Sequence, residues 1–104
     1  MTIPDKELLE LAAKAAGIDV QEWRESYEAF KMKEPMLYWN PLTDDGDALR
    51  LAVKLMLDIC CHESGAYVDG DRREYSANEK DPSNPYAATR LAIVRAAAEI
   101  GKTL

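Results

Sequence analysis

The chain of 104 residues has a net charge of −6, with 47% of its residues apolar and 31% charged. This length corresponds to one domain, residues 1–104, with one modest core, and the composition is that of a globular protein and not of a disordered chain. Because an acidic chain is repelled by phosphate backbones, we expect no direct binding to nucleic acid.

The first predicted element is a helix over residues 4–16. Pro4 suits the first turn of a helix, Asp5 and Glu7 suit the positive end of its dipole, and Gly17 is placed to end it as the C′ residue. The apolar stripe that we expect to be buried consists of Leu8, Leu11, Ala12 and Ala15.

Residues 18–40 fit two secondary structures. Val20, Trp23, Tyr27 and Phe30 recur at helical spacing, whereas Ile18 and Val20 alternate as they would in a strand. Periodicity favours the helix, and the abundance of β-branched and aromatic residues favours strands. The residues of this segment alone therefore leave both structures open.

Three carboxylates in four positions, Asp44, Asp45 and Asp47, precede the second predicted helix, residues 44–57. A calcium loop that started at Asp45 would need a glutamate at its twelfth position, where the chain has Met56. A cap at Asp44 followed by two acidic residues in the first turn explains the same pattern. We therefore predict a helix start and not a metal site. The predicted buried face consists of Leu49, Ala52, Val53 and Met56, with Leu55 beside it.

Residues 58–77 are predicted to form β-strands. Turn signals at residues 63–65 and at Asp69-Gly70 separate two strands, and a polar third strand is expected over residues 72–77 at a sheet edge. A final helix begins after Asn84 as the N-cap with Pro85 in its first turn, and Gly101 closes it. These elements predict an α+β fold in which three helices pack on a small antiparallel sheet, similar to an α/β/α sandwich.

The segment Cys60-Cys61-His62 contains residue types that bind zinc or act as nucleophiles. In a strand, Cys60 and His62 share one face and Cys61 points to the other, and two ligands do not complete a tetrahedral site. The chain has no other cysteine or histidine. We therefore expect no metal, no cofactor and no catalytic site, and keep a small enzyme or metal protein centred on these residues as the alternative.

Aromatic and basic residues in the middle of the chain are candidates for contact with a protein partner, because such residues are frequent hot spots at interfaces. The same aromatic side chains could instead fill a small core. The candidate partner-binding residues are Trp23, Tyr27, Tyr67, Arg72, Arg73 and Tyr75.

The cellular compartment is predicted from the N-terminal segment, from the length of the apolar segments and from the two cysteines. The N-terminal segment lacks a basic region followed by an apolar one, and no apolar segment approaches the roughly 20 residues that cross a bilayer. Adjacent cysteines pair only through a strained ring, so no structural disulfide is expected. These features predict a cytoplasmic protein that does not contact membranes.

Three segments in matching order resemble the phage ABA sandwich domain family of small bacteriophage proteins. They are ELLELAAKAAGI (7–18), WNPLTDDGDALRLAVKL (39–55) and NPYAATRLAIVRAAAEIG (84–101). The resemblance implies helices on both sides of a small sheet, and strands within residues 18–40. It implies no catalytic residue. It places the protein in a bacteriophage or prophage, as an accessory protein in the cytoplasm of the bacterial host.

The expected function is non-enzymatic binding to a host or phage protein, such as a host defence or regulatory factor. A domain of this size can supply the roughly 800 Å² that such an interface needs from each partner. A homodimeric structural protein is a further alternative.

Overall fold

A computed structural model describes residues 4–32, 38–70 and 75–104 and shows three helices and two three-stranded antiparallel sheets. The predicted α+β class is confirmed, and the strands are divided between two sheets. The helices are α1 (Asp5–Ala16), α2 (Asp45–Lys54) and α3 (Pro85–Gly101). The strands are β1 (Val20–Arg24), β2 (Ala29–Met32), β3 (Tyr38–Trp39), β4 (Asp58–His62), β5 (Gly65–Gly70) and β6 (Tyr75–Lys80).

The first sheet, in the order β1-β2-β3, shows that the described part of residues 18–40 contains strands and no helix. The helical spacing of Val20, Trp23 and Tyr27 is interrupted because Tyr27 lies in the turn between β1 and β2. Trp23 and Phe30 are cross-strand partners, with ring centroids 5.0 Å apart in an edge-to-face arrangement. The pairing of Trp23 with Phe30 across β1 and β2 therefore explains why aromatic residues recur in this segment without a helix.

The second sheet has the order β4-β5-β6, with β5 at its centre. Ala66 and Val68 of β5 are completely buried, and α3 packs against β5 and β6. The strand predicted over residues 72–77 appears as β6, starting at Tyr75, and residues 71–74 lie outside the described part of the chain.

Helix α3 is the central element, since α1, α2 and the second sheet all pack against it. Asn84 caps it by accepting a hydrogen bond from the Ala87 N–H at 3.1 Å, with Pro85 in the first turn, as predicted. Gly101 is the last helical residue and has no positive φ. A Cβ at Gly101 would lie 2.0 Å from the Leu11 carbonyl oxygen, so this glycine allows α1 and α3 to approach closely.

Helix α1 ends as predicted, because Gly17 adopts a left-handed φ of 68° and the Ile18 N–H donates to the Ala13 carbonyl at 2.9 Å. Its buried residues are Leu8, Leu9, Ala12, Ala13 and Ala16, and the predicted Leu11 and Ala15 are half-buried. The core joins these residues to Phe30 and Trp39 of the first sheet and to Val68 of the second.

Helix α2 is shorter than predicted and turns a different face to the core. Its buried residues are Ala48, Leu51 and Ala52, whereas Leu49, Val53 and Met56 are 60%, 68% and 84% exposed. The predicted burial of these last three residues is therefore wrong. The sequence carries two apolar stripes on α2, and the one with alanines is buried because it permits close packing on the alanine-rich α3.

None of the helices in the described ranges is long and apolar enough to cross a membrane.

Candidate functional site

The carboxylates before α2 start the helix, as predicted. The Asp44 side chain accepts a hydrogen bond from the Asp47 N–H at 2.8 Å. Asp47 in turn accepts from the Asn40 N–H at 3.0 Å, so two free backbone donors are satisfied by side chains. Asp45 forms an ion pair with Arg90 of α3 at 2.6 Å, which ties the start of α2 to its neighbour.

The segment Cys60-Cys61-His62 lies in β4, and both thiols are free and exposed. His62 Nδ1 lies 3.4 Å from the Ser64 hydroxyl, and no carboxylate appears among the described hydrogen bonds of His62. Within residues 4–32, 38–70 and 75–104, no group of three or more histidine, cysteine, aspartate or glutamate residues could hold a metal ion. Among the described side chains, none is placed as a third partner that would orient a catalytic base or complete a metal site here.

A cleft of about 450 Å³ lies beneath β4, between α2 and the first half of α3, and is called here the β4 cleft. It forms because α3 packs against β5 and β6, which leaves the inner face of β4 partly uncovered. Its apolar lining includes Ile59 and Cys61 of β4, Leu49 of α2, and Tyr86 and Ile93 of α3. The Asp45–Arg90 ion pair lies at the same cleft.

The apolar surface of the cleft continues along α2. Leu49 lines the cleft, Val53 follows one turn later on the same side of α2, and Met56 comes two residues after the helix ends, all three largely exposed. These three residues are called the α2 stripe. Exposed apolar side chains that adjoin one another are typical of a contact surface, unlike single exposed apolar residues. The sequence did not indicate this surface, because helical periodicity predicts that the α2 stripe is part of the core.

A second surface is formed by Tyr27, in the turn after β1, and Tyr38 of β3. Their rings are stacked with centroids 4.3 Å apart and an interplanar angle of 25°. Tyr27 is 62% exposed and Tyr38 is 43% exposed, and they are called the tyrosine pair. The pair borders a shallow depression of about 350 Å³ that also includes Arg50 of α2.

Charged side chains surround the tyrosine pair. Arg50 Nη2 lies 2.8 Å from Asp47 Oδ1 and 3.8 Å from Asp44 Oδ2, and its side chain is 73% exposed. An ion pair with this much exposure contributes little to stability. Arg50 can therefore turn toward a partner without a large loss of folding free energy. Arg50 was not among the predicted contact residues, because its place beside the tyrosines depends on the packing of α2 near β3.

Of the remaining predicted contact residues, Trp23 and Tyr67 do not line the depression beside the tyrosine pair. Trp23 is half-buried against Phe30, and its indole N–H donates to Glu25 at 2.9 Å. Tyr67 lies on β5 of the other sheet, opposite Cys60 and 38% exposed. Tyr75 begins β6 opposite Gly70, and its side chain lies outside the described part of the structure, as do Arg72 and Arg73.

Comparison of the chain with protein-family models, with curated proteins and with solved structures finds no match. The site is therefore interpreted from its own geometry.

Proposed function

We propose that this chain is a non-enzymatic protein-binding module, and that the tyrosine pair is its contact surface for a host protein. The observation that supports this most directly is the exposed stack of Tyr27 and Tyr38 beside Arg50. Tyrosine and arginine are among the residues that most often dominate binding energy at protein interfaces.

The stacked arrangement favours binding for a physical reason. Each tyrosine side chain has few rotatable bonds, and stacking of Tyr27 on Tyr38 already restricts both rings before a partner arrives. The conformational entropy lost on binding is then small for the apolar area that is covered. The phenol hydroxyl groups and Arg50 supply polar contacts around the rings.

The proposed setting is the cytoplasm of a bacterium that carries the phage or prophage gene, where the chain would bind a host defence or regulatory factor. This part of the proposal is supported by the likeness of residues 7–18, 39–55 and 84–101 to the phage ABA sandwich domain. The net charge of −6 favours a partner with a basic surface.

Affinity capture from host bacterial cells tests the proposal, with the wild-type chain compared with a Tyr27→Ala/Tyr38→Ala double variant. We expect a stoichiometric host partner with the wild type and a recovery reduced roughly tenfold or more with the double variant, because two hot-spot side chains are removed. Tyr67→Ala is the matched control, since it removes an exposed tyrosine from the other sheet. Recovery of no stoichiometric partner, or of one that the double variant retains, would contradict the proposal.

The alternative function, a small enzyme or metal protein centred on Cys60, Cys61 and His62, is favoured by one observation. Cys61 and His62 both line the β4 cleft, where a small molecule could reach them. Elemental analysis of the purified protein and measurement of thiol labelling rates test it. Bound metal, or a thiol that reacts much faster than an ordinary cysteine, would favour this alternative over the binding module.

A further inference from the structure

Within the ranges that the structure describes, β4 is an edge strand that lacks the commonest protections. It pairs with β5 on one side only, in a register without a bulge, and its sequence Asp58-Ile59-Cys60-Cys61-His62 contains neither lysine nor proline. The opposite edge, β6, carries Lys80 and packs against α3. Natural sheets usually block a free edge with lysine, proline, a bulge or a covering element. Strand β4 is therefore available for pairing with another strand.

The hairpin between β4 and β5 determines which backbone groups point outward. The loop has two residues and is closed by the pair His62–Gly65, and a pair that closes such a loop is hydrogen-bonded. Because hydrogen-bonded and non-hydrogen-bonded pairs alternate, Cys60 bonds to β5, whereas Ile59 and Cys61 direct their N–H and C=O groups to the free edge. The remaining backbone hydrogen bonds described for this chain give these two residues no other partner.

We propose that β4 pairs with β4 of a second copy of this chain, antiparallel and centred on Cys60, so that two three-stranded sheets join into one six-stranded sheet. In this register, Ile59 lies opposite Cys61 of the second copy, and the four free backbone groups of each strand form hydrogen bonds across the twofold axis. Cys60 lies opposite Cys60 of the second copy at the centre.

The register is self-complementary in charge. A twofold axis at Cys60 places Asp58 opposite His62 of the second copy, and His62 opposite Asp58. The inner face then brings together Ile59 and Cys61 from both copies above the β4 cleft. A twofold axis at Ile59 or at Cys61 would instead place Asp58 opposite Cys60 or Ser64 of the second copy, so the Asp58–His62 pairing favours the register centred on Cys60.

The same axis brings the α2 stripes toward one another. Leu49, at one end of the stripe, lines the cleft together with Ile59 and Cys61 of the strand that would pair with the second copy. Burial of the stripe adds an apolar contact to the strand pairing. A standard interface takes about 800 Å² from each partner, roughly an eighth of the 6628 Å² surface of this chain.

The backbone at Met56 supports a role for the stripe. Met56 has a φ of 52°, in the left-handed region where glycine is favoured, and its side chain is 84% exposed. The Met56 and Leu57 N–H groups donate to the Val53 and Ala52 carbonyls, which is the helix-ending motif that usually has glycine at this position. A bulky apolar side chain is thus kept in an unfavourable backbone position while it contributes no burial to the monomer. Contact with a second copy would bury the Met56 side chain and so offset the unfavourable backbone conformation.

This inference does not depend on the proposed host partner. Helix α2 separates the two surfaces, because the α2 stripe and β4 cleft lie on one side and Arg50 with the tyrosine pair on another. A dimer joined through β4 leaves both tyrosine pairs accessible. Loss of host binding in the Tyr27→Ala/Tyr38→Ala variant and loss of self-association are therefore separate results.

Thiol cross-linking tests the register directly. In the proposed dimer the two Cys60 residues form a non-hydrogen-bonded pair with Cα atoms about 4.5 Å apart, within the range that a disulfide spans. The two Cys61 residues are diagonal, with Cα atoms roughly 7–8 Å apart, beyond that range. Each Cys→Ser variant keeps one exposed thiol, so Cys61→Ser reports on Cys60 and Cys60→Ser reports on Cys61.

Diamide is the oxidant, and it accepts the two electrons and two protons released as two thiols form one disulfide. We expect Cys61→Ser to give a covalent dimer and Cys60→Ser to remain largely monomeric on a denaturing, non-reducing gel. Equal dimer yields from the two variants, or no covalent dimer from Cys61→Ser, would overturn the proposed pairing.

Analytical ultracentrifugation over a range of protein concentrations provides a second measurement that needs no oxidant. We expect a reversible dimer for the wild type. Val53→Glu should raise the dissociation constant of the dimer roughly tenfold or more, because the new charge would be buried in the interface without a partner. Gln21→Glu is the control, since it adds the same charge at an exposed position in β1. A wild type that is monomeric at every concentration, or an equal effect of both variants, would contradict the inference.

Discussion

At the scale of the residue, Asn40 connects three parts of the fold and is 7% exposed. Its side-chain amide donates to the Glu28 carbonyl in the turn of the first hairpin, and its side-chain oxygen accepts from the Leu42 N–H at 2.8 Å. Its backbone N–H donates to Asp47 and its carbonyl accepts from Asp44, both at the start of α2. Asn40 therefore fixes the first sheet relative to α2, and with it the position of the tyrosine pair beside Arg50.

Replacement of Asn40 by alanine is expected to lower the free energy of unfolding by about 2 kcal/mol, because the Leu42 N–H and the Glu28 carbonyl lose their partly buried side-chain partner. Urea denaturation followed by circular dichroism measures this change. Asn78→Ala, an exposed asparagine on β6, is the control and is expected to change stability by less than about 0.5 kcal/mol. Equal stabilities for the two variants would show that the Asn40 hydrogen bonds contribute little.

The pH dependence of stability should carry a contribution from Asp81. The Ser83 hydroxyl donates to Asp81 Oδ1 at 2.6 Å and the Ser83 N–H donates at 3.1 Å, and these bonds lower the pKa of the Asp81 carboxyl below its ordinary value of 3.8. A carboxyl with a lowered pKa in the folded state stabilises the fold above its unfolded-state pKa. That contribution is lost as pH falls through the folded-state pKa.

Thermal unfolding of the wild type and of Asp81→Asn between pH 7 and pH 2.5 tests this contribution. We expect a higher Tm for the wild type at pH 7, and a difference that shrinks as the pH falls below the ordinary carboxyl value of 3.8. Ser83→Ala should reduce the same pH-dependent difference, because it removes the stronger of the two donors. A Tm difference that stays constant over the whole pH range would contradict the assignment.

At the scale of the element, α2 shows what helical periodicity can and cannot establish. The start of α2 was predictable because a cap at Asp44 depends on local chemistry alone. The buried face was not, because Leu51 with two alanines and Leu49 with Val53 both form apolar stripes. Which of the two stripes is buried depends on the small residues of α3 against which α2 packs, and these residues lie about 40 positions away in the sequence.

Gly101 illustrates the same limit at the other end of the chain. Its place near the end of a helix suggested a terminating glycine, whereas it is a contact point where α3 meets the Leu11 carbonyl of α1. Alanine is about 1 kcal/mol more favourable than glycine inside a helix, so propensity alone predicts that Gly101→Ala would stabilise the protein. The contact predicts the opposite, because a Cβ would lie 2.0 Å from a backbone oxygen.

We therefore expect Gly101→Ala to lower the free energy of unfolding by about 2 kcal/mol or more, as α1 and α3 are forced apart. Gly17→Ala is the comparison, because no atom lies within 4 Å of the Cβ it would add and only the φ of 68° is unfavourable. That variant should lose about 1 kcal/mol. Urea denaturation of both variants distinguishes the two causes, and a Gly101→Ala protein more stable than the wild type would contradict the contact.

At the scale of the whole molecule, the class of the fold was predictable and its division into two sheets was not. Turn residues such as Asp69-Gly70 identify single hairpins, but strand order depends on pairings that local patterns do not encode. The tyrosine pair could not be predicted for the same reason, since Tyr27, in the turn after β1, and Tyr38 of β3 are brought together by the pairing of β2 with β3. The free edge of β4 follows from the strand order, and thus became visible only in the folded molecule.

The net charge of −6 sets the salt dependence expected for the proposed dimer. Two copies repel one another. The contacts proposed for β4 and the α2 stripe are mainly backbone hydrogen bonds and apolar surface, which salt does not weaken, and the two exposed Asp58–His62 pairs contribute little. The screening length falls from about 30 Å at 0.01 M salt to about 8 Å at 0.15 M. Self-association should therefore strengthen as sodium chloride is added over this range, as measured by the dissociation constant from sedimentation equilibrium.

A Glu7→Gln/Glu10→Gln double variant separates long-range repulsion from direct contacts. Both residues are exposed on α1 and line neither the β4 cleft nor the depression beside the tyrosine pair. Their replacement makes the net charge less negative without a change at the proposed interface. The variant should associate more tightly than the wild type at 0.01 M salt and about equally at 0.15 M, because screening then removes most of the difference. Association that weakens with added salt would instead indicate an interface dominated by ion pairs, whereas the strand pairing centred on Cys60 provides only two exposed Asp58–His62 pairs.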